Sequence, residues 1–207
     1  LAMSQSRYLP FGVLGKEGAG WSLPVCARFG RADKSSTQCF LLDKPQQTFA
    51  VDGGCADWLL PNADAAGYYR FSMADADFAA LGKHVAVLSA DEQMTYADAV
   101  SSGFHRGEVS PATLLGAMPA LANSDMPQVA TALLKDLQWM REHLATDTTR
   151  PALDVYAIAL YSPRLKTLGL QRRAGEPAVS TNLRVRLAEF LALTVRDPGV
   201  RKELNRQ

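Results

Sequence analysis

Histidine is scarce in this 207-residue chain: only His84, His105 and His143 occur, 21 and 38 residues apart. No two of them stand one helical turn apart. The paired imidazoles that a zinc peptidase places on one helix face are therefore missing. Glu142 lies beside His143 without a second imidazole on that face, and reads as a solvated helix terminus. Cysteine is equally sparse. Cys26, Cys39 and Cys55 show no C-x-x-C spacing, which argues against a zinc finger. There is no G-x-S-x-G elbow for a serine nucleophile, no P-loop, and no G-x-G-x-x-G following a strand. No apolar run approaches the roughly 18 residues of a membrane span. The opening Leu1-Ala-Met-Ser-Gln-Ser-Arg7 lacks the apolar core of a signal peptide. It also begins in a strand-like pattern without a leading Met, so a piece of a longer protein is expected.

The chain is 47% hydrophobic and 21% charged, enough to bury a core in one large domain or two small ones. Its formal net charge of +1 argues against a dedicated nucleic-acid binder. That charge is unevenly spread. Residues 164–207 hold 10 Lys/Arg against 4 Asp/Glu, a net of +6, whereas residues 1–163 hold 12 against 17, a net of −5. A basic C-terminal part favours docking against something acidic.

Up to Met73 the pattern is that of strands. A strand entered partway covers residues 1–9. Trp21–Phe29 alternates with the period of a half-buried strand, and Thr37–Leu42, Gln47–Val51, Trp58–Leu60 and Gly67–Met73 follow. The turn-rich stretch from Gly30 to Ser36 joins the first long pair. On the last strand Tyr69, Phe71 and Met73 share one face, and Tyr68, Arg70 and Ser72 the other. Short strands at this spacing predict a small antiparallel sandwich. Gly15-Lys-Glu-Gly18-Ala-Gly20 precedes a strand with no helix after it, and reads as a flexible hairpin loop.

From Asp75 the period is helical. Ser89-Ala-Asp-Glu92 is a capping box, and the helix it opens should end near His105-Arg-Gly107. Ser110-Pro111 and Asp125-Met-Pro127 start two more. Val129, Leu133, Leu137, Met140 and Leu144 form one stripe on the second of these. Residues 151–162 make a fourth helix. A fifth, opened near Ser180, carries Leu183, Leu187, Phe190, Leu191 and Thr194, and Asp197-Pro198 starts a short last one. The fold class is thus α+β in segregated regions: an antiparallel β-sandwich over residues 1–73, then an all-α array of helical hairpins over residues 75–207.

Candidate chemistry is thin. Asp52 and Asp57 flank Gly53-Gly54 as turn residues, and Asp75 and Asp77 suit a helix N-terminus; metal binding at either pair is not expected. His105 suits the negative end of its helix. Cys26 and Cys39 lie on neighbouring strands where a cross-strand disulfide is geometrically feasible. With Cys55 left over, ordinary buried thiols are the expectation. Tyr68, Tyr69 and Arg70 concentrate polar-aromatic side chains. Either they fill the sandwich, with the Arg bound to a nearby carboxylate or carbonyl, or they order an interface with another domain.

Four segments in order resemble zinc aminopeptidases of the thermolysin-like (gluzincin) class, the alanyl/leucyl/puromycin-sensitive group. Leu1-x-x-Ser4-Gln5-Ser6-Arg7-Tyr8 is similar to their L-x-x-[ST]-Q-x-R-[FY] strand, and Trp21-Ser-Leu-Pro24-Val25 to W-x-[IV]-P-[LV]. Trp58…Asn62…Gly67-Tyr68-Tyr69-Arg70 resembles the W…N…GYYR segment that follows the catalytic domain, and Leu165-Lys-Thr-Leu168-Gly169 with Leu183-Arg184 resembles helical-domain segments. Met73 departs from the family, which often has Tyr there. The resemblance implies a non-catalytic C-terminal fragment: the sandwich plus the first part of a truncated helical domain. The family's H-E-x-x-H helix, downstream Glu ligand, catalytic Tyr and G-x-M-E-N loop would all lie upstream. Zinc would belong to the parent enzyme, and no cofactor or catalytic residue to this chain. The implied partners are the catalytic domain of the same protein, whose active-site cavity the helices would cover, and the parent's peptide substrate. Arg172 and Arg173 would suit the substrate's C-terminal carboxylate or an acidic partner. Two other readings of the residues remain: a free-standing α-solenoid binding module, and a hydrolase whose cleft gathers His105 or His143 with carboxylates.

Overall fold

A computed structural model of the protein describes residues 1–14 and 20–206. Most of the expected Gly15–Gly20 loop lies outside the described residues. The chain divides into two compact units, Leu1–Ala120 and Leu121–Gln207. The order of elements is α+β, with strands first and helices from Asp75 onward.

In the first unit, β1 (Ala2–Ser4) pairs antiparallel with β4 (Gln46–Thr48). A second sheet has the order β3-β2-β5, where β2 is Leu23–Arg31, β3 is Lys34–Leu42 and β5 is Trp58–Leu60. The strands are thus antiparallel and arranged as two small sheets. Val25, Ala27 and Phe29 point inward from β2, as the alternation requires.

Three strand expectations are corrected. The β2–β3 connection is not the long Gly30–Ser36 turn. Arg31 still pairs with Lys34, leaving a two-residue turn at Ala32-Asp33. Ala32 takes φ 48°, and the Asp57 carboxylate accepts from its amide at 2.7 Å. A contact remote in sequence thus supports a turn that lacks glycine. The N-terminal strand stops at Ser4 rather than residue 9. Finally, Gly67–Met73 lies outside the two sheets, with bends over residues 67–69. Its alternation survives, with Tyr68, Arg70 and Ser72 outward and Phe71 buried. Among the described residues no strand pairs with it; side chains anchor it instead, as described below.

Helix α1 (Asp75–Gly82) and α2 (Ala90–Arg106) complete most of this unit. The α2 capping box is complete. Ser89 Oγ accepts from the Glu92 amide at 3.2 Å, and Glu92 Oε2 from the Ser89 amide at 3.0 Å. Gly107 closes the helix at φ 75°, a left-handed conformation that glycine adopts without a Cβ penalty. Phe78 of α1 stacks near Phe71, its ring centroid 6.2 Å away, and its carbonyl accepts from the buried Tyr96 hydroxyl of α2. Helix α3 (Pro111–Ala122) begins where Ser110 Oγ accepts from the Thr113 amide at 3.2 Å.

In the second unit, the helix expected from Asp125 is broken. It forms α4 (Pro127–Ala130) and α5 (Leu134–His143). Thr131 and Leu133 fall at φ −111°, ψ 10° and φ −96°, ψ 10°, outside the helical well. The apolar stripe nevertheless runs on, since Val129, Leu133, Leu137 and Met140 are all buried. Leu144, the last of the stripe, is half-exposed. Helix α6 (Arg150–Leu168) outruns its expected 151–162, and α7 (Ala178–Glu189) passes into a π-turn over Phe190–Thr194. Helix α8 (Pro198–Leu204) is capped by Asp197, which accepts from the Gly199 and Val200 amides at 2.7 and 3.2 Å. The core of this unit joins Tyr161 and Leu165 of α6 to Leu187, Phe190 and Leu191.

Candidate functional site

The Trp58–Arg70 segment is where strand gives way to helix, and each of its marked residues has a physical task. Trp58 packs flat on Gly30 of β2. A Cβ at Gly30 would stand 1.9 Å from the indole Cε2, so only glycine admits the ring. The indole also stacks on His84, ring centroids 5.6 Å apart, which gives that histidine a packing role. Asn62 is buried and replaces a strand partner. Its amide donates to the Gly67 carbonyl at 3.0 Å, and its carbonyl accepts from the Gly67 amide at 2.8 Å. Gly67 in turn lies under the Tyr69 ring, 2.1 Å from where a Cβ would be. The Tyr69 hydroxyl donates to the Pro61 carbonyl at 2.7 Å, and burial pushes its pKa up to about 12. The loop closes on itself through side chains, which is why it needs no ladder.

Asp64 and Ala65, inside that loop, take φ 56° and 53°. Non-glycine residues pay for this region with strain unless neighbours hold them. The holding group is Glu92. Its carboxylate, completely buried, accepts from the Asp64 amide at 3.0 Å and from the Arg28 guanidinium at 2.9 Å. Arg28 also reaches the Asp64 carboxylate at 2.8 Å. The capping residue of α2 thus joins a strand, the loop and a helix at one point.

The Tyr68-Tyr69-Arg70 triplet separates into three fates. Tyr69 is half-buried, bonded as above. Tyr68 is fully exposed. Arg70 forms a two-pronged bond to Asp98 of α2, at 2.9 and 3.3 Å, and lies 4.9 Å from the Tyr8 ring centroid. The bond to Asp98 raises its pKa further. Arg106 lies near the same Tyr8 ring at 5.7 Å and pairs with Glu108 at 2.7 Å.

In the second unit, Arg172 and Arg173 lie on the connection after α6 and line a groove of about 780 Å³. Lys166 of α6, with Val200, Glu203 and Arg206 around α8, completes its polar and apolar walls. Sequence spacing does not mark Lys166 and Arg206 as groove residues. The local excess of positive charge contained them, but spacing did not show that they share a groove. Glu203 is 3.5 Å from Arg206. The Arg173 guanidinium donates to the Thr167 carbonyl at 3.1 Å, and Arg172 is exposed. The connection is fastened by Arg184, which is buried, bonded to the Gly169 carbonyl at 2.8 Å and paired with Glu176. That Arg184 bond holds the Glu176 carboxyl below its ordinary range.

The other sequence candidates fall apart in space or serve structure. Asp57 supports the Ala32 turn, while the Asp52 carbonyl accepts from Arg31 at 2.8 Å. Asp75 accepts from the Ser110 amide at 3.3 Å; its bonding to Ser110 lowers its pKa. His105 ends α2, and the exposed His143 packs on Trp139 at 5.0 Å. Neither lines the groove. Among the described residues, no group of three His, Cys, Asp or Glu could hold a metal ion. The expectation of three ordinary thiols is corrected. Cys26 and Cys39 stand opposite in the β2–β3 register, Cα atoms 3.9 Å apart, and are disulfide-bonded; Cys55 is free and exposed.

Fold and site together define an α+β protein: in the first unit a buried carboxylate joins the sheets to α2, and the second unit carries a basic groove. Residues 58–207 match the family model of the ERAP1-like C-terminal domain, and the chain belongs to that family, the C-terminal domains of the M1 aminopeptidases. The match starts at Trp58, the first residue of the joint. No curated protein matches the chain in a sequence comparison.

Proposed function

We propose that this chain is the non-catalytic C-terminal part of a zinc-dependent aminopeptidase of the alanyl/leucyl/puromycin-sensitive group. The family match over residues 58–207 carries this reading. In it, residues 1–73 act as a β-sandwich that bridges to the catalytic domain, and residues 75–207 as a helical domain that covers the active-site cavity. Zinc and the water it activates for hydrolysis belong to that catalytic domain. The exposed Tyr68 beside Arg70 offers an aromatic and a cation to the bridging contact. The groove around Lys166, Arg172, Arg173 and Arg206 offers charge-assisted hydrogen bonds to the distal carboxylate of a peptide.

The test is charge reversal, Arg172→Glu with Arg173→Glu, in the parent enzyme. Long peptides should show KM raised about tenfold, the equivalent of one lost charged hydrogen bond. Dipeptide-sized reporters should keep their kcat/KM. Equal losses on both substrates, or none on either, would remove the distal-contact role.

A further inference from the structure

The disulfide of the β2–β3 hairpin lies on an accessible face. The register pairs Pro24 with Leu41, Cys26 with Cys39 and Arg28 with Thr37, so these residues share one side of the hairpin. On the other side Val25, Ala27 and Phe29 are buried. Cys39 is exposed and Cys26 half-buried. Disulfide exchange requires that a thiolate reach one sulfur, and Cys39 is the exposed residue of the pair. Two residues further along β2, on the same side, Arg28 reaches across to Glu92 and Asp64. The hairpin that the disulfide fastens therefore also carries the cation of the strand-to-helix joint.

We propose that Cys26–Cys39 is a redox-sensitive latch: its reduction by a thiol of the dithiol or glutathione class loosens the β2–β3 hairpin and, through Arg28, the N-terminus of α2. The attacking thiolate forms a mixed disulfide with Cys39 and releases Cys26 as a thiolate. A second reductant thiol displaces Cys39. The pair gains two electrons and two protons, and the reductant departs as its own disulfide. Cys55, exposed and unpaired, takes no part.

The experiment counts alkylated cysteines on the folded chain, then follows amide exchange by mass spectrometry. Without reductant, one alkylation is expected, at Cys55. After dithiothreitol without denaturant, three are expected. Amides of Leu23–Leu42 should then exchange about a hundredfold faster, the loop-closure contribution of a short disulfide loop. Those of Ser89–Gln93 should quicken with them, while the Leu121–Arg206 unit keeps its protection. The double variant Cys26→Ser/Cys39→Ser should reproduce this pattern without reductant. A bond that yields only in denaturant, unchanged exchange after reduction, quickening confined to the hairpin, or loss of protection in both units would each overturn the latch.

Discussion

The Glu92 carboxylate lies 2.9 Å from the Arg28 guanidinium, and both of its oxygens are occupied by donors from three different parts of the first unit. One side chain closes the α2 capping box, holds the left-handed Asp64 and neutralises a strand arginine. Removing one member of a buried pair leaves the other without compensation, at about 3–5 kcal/mol. Arg28 is partly exposed and keeps Asp64, so Glu92→Ala should lie near the lower end, about 3 kcal/mol. Arg28→Met combined with Glu92→Met should cost less than the sum of the single changes. Urea denaturation of the four members of this cycle measures the coupling.

Gly30 is expected to tolerate no side chain. Gly30→Ala drives a methyl into the Trp58 ring and should cost about 1–3 kcal/mol by overpacking. Adding Trp58→Leu to that variant should recover part of the loss. Thermal melts of the two variants check the sign: an Ala at residue 30 as stable as the parent would remove the close approach.

Tyr68 and Tyr69 should behave oppositely despite being neighbours. Tyr69→Phe loses the bond to the Pro61 carbonyl and should cost about 1 kcal/mol. Tyr68→Ala touches an exposed ring and should change chain stability by less than about 0.5 kcal/mol. In the parent enzyme it should weaken docking of the catalytic domain, read by limited proteolysis between the domains.

Acid should weaken both units through identified carboxyls. Asp75 and Glu176 have pKa values lowered from 3.8 and 4.5 by their bonds to Ser110 and Arg184. A carboxyl depressed in the folded state binds more protons when unfolded. Its contribution is present above its ordinary pKa and is lost as the pH falls through the depressed value. Melting temperature should therefore drop as pH falls below about 4, and Asp75→Asn with Glu176→Gln should flatten that slope.

Local signals were legible in the sequence, and remote ones were not. The Ser89–Glu92 box and Gly107 encode the ends of α2 within a few residues, and both ends formed as read. The Gly67–Met73 alternation showed which residues share a face but neither the full exposure of Tyr68 nor the lack of a strand partner, because Asn62, Tyr69 and Asp98 replace a ladder with side-chain bonds. The Ala32-Asp33 turn depends on Asp57, and Arg28 finds Glu92 across most of the first unit; neither pairing leaves a spacing to read. Family resemblance was legible because Trp58, Asn62, Gly67 and Tyr69 each meet a steric or hydrogen-bonding need that few other residues satisfy. The groove was half legible: Arg172 and Arg173 are adjacent in sequence, whereas Lys166 and Arg206 join them only in the folded unit.

The most direct test of the account is a paired measurement on the purified chain: zinc content after equilibration with the metal, and turnover of alanyl and leucyl reporter amides. A non-catalytic C-terminal domain predicts no stoichiometric zinc and no turnover above buffer. One zinc per chain, together with reporter hydrolysis abolished by a chelator and restored by zinc, would contradict it.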